Sequence, residues 1–150
     1  MQMKEAVERL SRLNDLKREV DDLSQRIAQL ELEAQGGVGR VTGLPRSRRN
    51  SDRVAEAAAR IADCRERMEL RRLDCMVEIG RLYEWIDDIA DSRSRLVFTL
   101  RYIDGRSWQQ VAYGIGEMDE QVPRRLHNRL LREKISVWTK FDENDERNVL

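Results

Sequence analysis

A seven-residue hydrophobic rhythm runs through the first third of the chain. Leu13, Leu16, Val20, Leu23, Ile27 and Leu30 recur at alternating steps of three and four. In a helix these positions fall on one narrow stripe, and such a stripe needs another helix to cover it. Val7 and Leu10 continue it with a small shift, while Arg, Lys, Asp, Glu and Gln fill the flanks. The pattern predicts one coiled-coil-like helix over residues 3–34, about 45–50 Å long at about 1.5 Å per residue. Its partner is either another part of the chain or another copy. Composition points the same way. Of 150 residues, 37% are charged and only 5% aromatic, which suits long solvated helices better than a thick core.

Breakers are concentrated. Four of the 8 glycines lie within residues 36–43, and Pro45 is one of only 2 prolines. The expected layout is all-α. A coiled-coil-like helix covers 1–35, a basic Gly/Pro linker 36–51 and a second long helix 52–90. A unit of shorter helices follows over 91–138, and an acidic, frayed tail over 139–150. Asn50 or Ser51 is expected to cap the second helix. Its stripe is read as Val54, Ala58, Ile61, Met68, Cys75, Ile79, Leu82, Ile86 and Ile89, interrupted at Arg65 and Arg72. Two such helices suggest an antiparallel hairpin or an oligomeric bundle, with a homodimer or higher homo-oligomer held by the long helices.

Several classes of function are disfavoured. No segment approaches the roughly 18 apolar residues of a membrane span. Met1-Gln-Met-Lys-Glu opens no signal peptide. Cys64 and Cys75 read as small, reduced helix residues, and the single histidine, His127, leaves too few ligands for zinc. His127 also has no recognisable nucleophile and orienting carboxylate beside it, so it reads as a helix-surface residue or a phosphate contact. Gly36-Gly-Val-Gly lacks the length and following lysine of a phosphate loop. No enzyme activity, metal or cofactor is expected.

The last third changes character. Asp91 or Ser92 can cap a short helix carrying Leu96, Val97, Leu100 and Tyr102. Asp104-Gly105 reads as a turn, and Ser107 caps the helix that follows. From Ser107 to Leu131 the spacing is that of a helix-turn-helix. Ala112 is small enough for a close helix crossing, Gly116 supplies the turn, and Val122 is expected to face the core. Trp108 reads as a core anchor. Such a unit lays its second helix in the major groove. The candidate DNA contacts are Ser107, Gln109, Met118, Gln121, Arg124, Arg125, Asn128, Arg129 and Arg132, with Arg46, Arg48 and Arg49 in the linker.

Charge supports this locally. The totals cancel, 28 basic against 28 acidic residues. Resolved along the chain, residues 38–53 carry +4 (5 basic, 1 acidic) and residues 92–134 carry +4 (9 basic, 5 acidic). Acidic helices and an acidic tail balance them. Two basic islands thus coincide with the linker and the proposed recognition unit, where phosphate contacts need them.

At these residues a resemblance appears. Arg95 to Gly116, RLVFTLRYIDGRSWQQVAYGIG, resembles the region 4 helix-turn-helix of bacterial sigma factors. It looks even more like small phage-encoded regulators with that domain, of the ArpU and RinA type, and related phage families of unknown function. Arg95, Leu96, Val97, Arg101, Tyr102, Ile103, Gly105, Ser107, Trp108, Val111, Ala112, Ile115 and Gly116 carry it, followed by Leu126-His127. Thr42 to Ser47, TGLPRS, resembles a linker motif of such proteins. The resemblance spans residues 40–133 and is most specific over 92–131. It implies a cytoplasmic protein of a bacterial host cell that binds double-stranded DNA, with RNA polymerase as a further partner, and controls transcription of phage or prophage genes. Two alternatives stand beside it. One is a small terminase-like DNA-packaging subunit; the other is a coiled-coil interaction module without DNA binding.

Overall fold

The computed structural model describes residues 2–36 and 48–145, with side chains for 2–35 and 51–135. Among these residues every regular element is helical, as expected: α1 (Met3–Gly36), α2 (Arg48–Asp87), α3 (Ser92–Phe98), a π-helical turn (Thr99–Ile103), α4 (Trp108–Gly114) and α5 (Gln121–Asp145). Two boundaries differ from expectation. Helix α2 already includes Asn50 and Ser51, so neither caps it. Helix α5 runs on to Asp145, into the stretch read as a frayed tail. Most of the linker, residues 37–47 with Arg46, and the last residues of the tail lie outside the described residues. No described helix is long and apolar enough to cross a membrane.

The chain divides into two compact units, Asp15–Met76, and Met1–Asn14 with Val77–Leu150. In the first, α1 and α2 are antiparallel. Arg71 reaches Glu19 at 2.8 Å and Arg65 reaches Glu31 at 3.0 Å, so one helix descends as the other climbs. The partner of α1 in this unit is therefore the same chain. Both bridges are largely solvated and contribute little energy, but they mark the register. The seam lies between them. Leu16 and Ile27 are buried, and Val20, Leu23 and Leu30 are half-buried.

The face of α2 differs from the expected stripe. Its covered positions are Ala57, Ile61, Cys64, Met68, Arg71 and Cys75, at steps of 4, 3, 4, 3 and 4. Val54 (50% exposed) and Ala58 lie outside it. Arg65 and Arg72 do not interrupt the stripe, because Cys64 and Arg71 occupy those layers. An arginine can do so because its methylene stem lines the seam while its head group leaves it. Here the Arg71 head group reaches Glu19 and Asp74, both at 2.8 Å. Both cysteines are free thiols, and burial pushes that of Cys75 above its usual range.

In the second unit, Ala6, Leu10 and Leu13 of α1 are buried, as are Leu82 and Ile86 of α2. Glu78 is buried to 8% exposure, with Arg81 at 3.6 Å and Arg12 at 4.0 Å. The corner after α2 is tied by side chains. Arg95 donates to the carbonyls of Ile89 (2.5 Å) and Ala90 (3.0 Å) and to Ser92 Oγ (2.9 Å). Asp91 caps α3, accepting from the backbone N–H (2.9 Å) and the hydroxyl (2.7 Å) of Ser94. Those bonds hold its carboxyl below the usual range.

Leu13 has no exposed surface. Leu13→Ala is expected to cost about 3 kcal/mol in denaturant unfolding, the usual loss for a leucine-sized cavity. Leu32→Ala, on a residue 64% exposed, should cost less than about 0.5 kcal/mol.

Candidate nucleic-acid interface

Helix α3 does not continue as a plain α-helix. At Thr99–Ile103 the backbone widens, and the Asp104 N–H bonds to the Thr99 carbonyl at 3.1 Å. The extra residue in that turn shifts the inward face. Val97 and Phe98, before the turn, and Tyr102 and Ile103, five residues on, are buried, while Leu96 is 40% exposed. Gly105 then reverses the chain at φ +68°.

Ser107 caps α4 in a reciprocal box: its hydroxyl accepts from the Gln110 N–H, and the Gln110 side chain accepts from the Ser107 N–H. Val111 and Ala112 are fully buried. Gly114 lies so close to Leu100 that an added Cβ would fall 2.5 Å from its Cδ1. Gly116 takes φ +80°, with open space where a side chain would go. The turn is pinned by Gln109, which donates to the Met118 carbonyl at 3.1 Å, and by an ion pair of Arg93 with Glu117. Asp119 opens α5 by accepting from the Gln121 N–H at 2.9 Å.

The inward face of α5 is Pro123, His127 and Leu131, all buried at steps of four. This corrects two expectations. Val122 is only half-buried, because Pro123 takes the core position; in the first turn its missing N–H leaves no helix bond unmade. His127 is neither a surface residue nor a phosphate contact, being 3% exposed. Its ring stacks on Phe98 at 5.0 Å and meets Trp108 edge-on at 5.0 Å. Nε2 lies 2.5 Å from the Tyr102 hydroxyl, and Nδ1 lies 2.9 Å from Asn128 Oδ1. Asn128 Oδ1 can only accept, so Nδ1 carries the proton and Nε2 accepts from Tyr102. That is a neutral imidazole with both nitrogens satisfied. Burial lowers the His127 pKa and raises that of Tyr102 to about 12.

Trp108 is half-buried, with two guanidiniums near its ring: Arg101 at 4.7 Å and Arg124 at 5.6 Å from the centroid. Arg101 was not among the candidates, and nothing in its local spacing distinguishes it; it stands inside the wide turn, over the Trp108 ring.

The candidate contacts separate into groups. Ser107 is committed to its cap, Gln109 to the turn, and Asn128 to His127. Arg124 packs on Trp108 and pairs with Glu120 at 3.2 Å. Arg125 lies 3.9 Å from Asp119. Met118, 82% exposed, and the exposed Gln121, Arg129 and Arg132 stand on the outside of the turn and α5. Arg48 and Arg49 fall in the first turn of α2, where side chains are not described. Among the described residues no group of three or more His, Cys, Asp or Glu could hold a metal ion. No family model, curated protein or solved structure matches the chain.

Two measurements check this geometry. Gly116→Ala meets no neighbour, so its cost should be that of left-handed backbone alone, about 1–2 kcal/mol, with Gly116→Asn costing less. His127 binds protons more weakly folded than unfolded. Stability should therefore be complete above about pH 6.5 and fall as the pH drops below that value toward the lowered folded pKa. Between pH 7.5 and 5.5, His127→Gln should flatten this slope in denaturant titrations.

Proposed function

We propose that the chain binds double-stranded DNA through α4 and α5 as a helix-turn-helix, and regulates transcription of phage or prophage genes. One observation carries the reading. A short capped helix and a tight glycine turn lead into α5, whose buried face is fixed by His127 and whose outer face presents Arg125, Arg129 and Arg132. Laid in a major groove, that face puts Gln121 and Met118 near base edges and the arginines near phosphates. RNA polymerase is a further partner in this reading. A homodimer joined by the long helices would favour half-sites about one helical turn, roughly 34 Å, apart.

The packaging alternative, a small terminase-like subunit, differs in its assembly. Mass in solution separates the two: about eight or more copies would indicate packaging, and one or two would indicate regulation.

The DNA reading is tested by binding to phage and host promoter fragments over a salt series. Affinity should fall steeply with salt. Arg129→Ala and Arg132→Ala should each weaken binding on all sequences and reduce the salt slope by about one. Gln121→Ala should relax sequence preference instead. Arg18→Ala, on α1, serves as the control. Binding that is insensitive to salt and to both arginine variants would overturn the proposal.

A further inference from the structure

Helix α2 has a second apolar face. The side turned away from its seam carries Ala55, Ala59, Ala62, Leu70, Leu73 and Met76, all exposed. Leu70 is 53%, Leu73 58% and Met76 68% exposed, and Val77, the next residue of the helix, is 56% exposed. A helix that is apolar on both sides is built to be covered on both. Four large apolar side chains within eight residues also exceed the scattered single residues normal for a surface.

The positions between these residues continue a heptad. Asp63, Glu66, Leu70, Leu73 and Val77 follow at steps of 3, 4, 3 and 4, with Arg67 and Asp74 on one flank and Glu69 and Met76 on the other. Charge selects how two such faces can meet. In a parallel pair, equivalent residues face each other: Asp63 meets Asp63, Glu66 meets Glu66, and the flanks bring Glu69 against Asp74. An antiparallel pair centred between residues 71 and 72 removes all three conflicts. Leu70 then packs on Leu73 of the other copy, Glu66 lies along Val77, and Arg67 faces Asp74, each contact occurring twice about the two-fold axis. The exposed Arg67 thereby joins an Asp74 already bonded to Arg71 at 2.8 Å within its own chain.

We infer that the outer face of α2, centred on Leu70 and Leu73, is a self-association surface that takes the α2 helix of a second copy in antiparallel orientation. This deepens the reading of the long helices as the joining element. It does not rest on DNA binding.

The test uses the full-length protein without DNA. Sedimentation equilibrium should give a dimer at tens of micromolar. Leu73→Glu should raise the dissociation constant at least 100-fold while circular dichroism shows unchanged helix content, since Leu73 takes no part in the seam within the chain. Arg67→Asp, which sets Asp against Asp74, should raise it about tenfold. A spin label at Ala62→Cys, with Cys64 and Cys75 replaced by Ser, reads the orientation. Antiparallel pairing predicts a label separation of about 28 Å along the helices, and parallel pairing about 10 Å. A monomer, a dimer indifferent to Leu73→Glu, or the short separation would each overturn the inference. DNA binding is measured separately, so loss of either property leaves the other to be judged on its own.

Discussion

The rotation of α5 about its own axis decides which of its residues meet the outside, and the His127 ring sets that rotation. Three aromatic neighbours hold it: Phe98, Tyr102 and Trp108. Both nitrogens have partners, which removes the penalty a buried imidazole would otherwise carry. A turn of one residue either way would bring Leu126 or Asn128 inward and leave the Tyr102 hydroxyl unpaired. Pro123 and Leu131, one helical turn before and after, follow from the same choice. So do Gln121, Arg125, Arg129 and Arg132 on the opposite side. The outer face is thus a consequence of a polar contact inside.

What could be read beforehand is what local chemistry dictates. Asp91 and Ser107 cap the helices expected of them because a short oxygen-bearing side chain satisfies amide groups within its own turn. Gly116 takes the left-handed turn because little else adopts it. The misreadings arise where distant residues decide. Tyr102 and His127 are 25 positions apart, and no periodicity links them. The π-helical turn sets the next buried pair, Tyr102 and Ile103, five residues after Val97 and Phe98, where a plain α-helix counts three or four. On α2 the apolar residues trace one stripe in the sequence, whereas the covered seam admits Arg71 and Cys64. Hydrophobic identity alone could not separate the two faces of a helix that is apolar on both.

That two-faced helix explains the composition better than a single hairpin does. One hairpin needs one seam per helix, and α1 has one. Helix α2 also exposes Leu70, Leu73 and Met76, where α1 presents charged flanks such as Glu19 and Arg26. An unpaired surface of this kind is costly in water, and its charges are arranged so that one orientation of a second copy meets no like-charge conflict at its centre. The same arrangement disfavours the parallel alternative, which is how specificity is commonly built into coiled coils.

The cancellation of 28 charges by 28 bears on how such a protein would find DNA. At physiological salt a field reaches only about 8 Å, so the chain-wide total says little about a contact at α5. Within that range the acids matter. Asp119 and Glu120 sit beside Arg125 and Arg124 at the start of α5, which reduces the positive field where bases would be read. Arg129 and Arg132 lie further along, about two and a half and three and a half turns from those acids. In the proposed docking, phosphate attraction therefore concentrates on the second half of the contact face. The first half is left to the uncharged Gln121 and Met118. In that docking, such a division would limit non-specific grip and let sequence-dependent contacts supply a larger share of the binding energy.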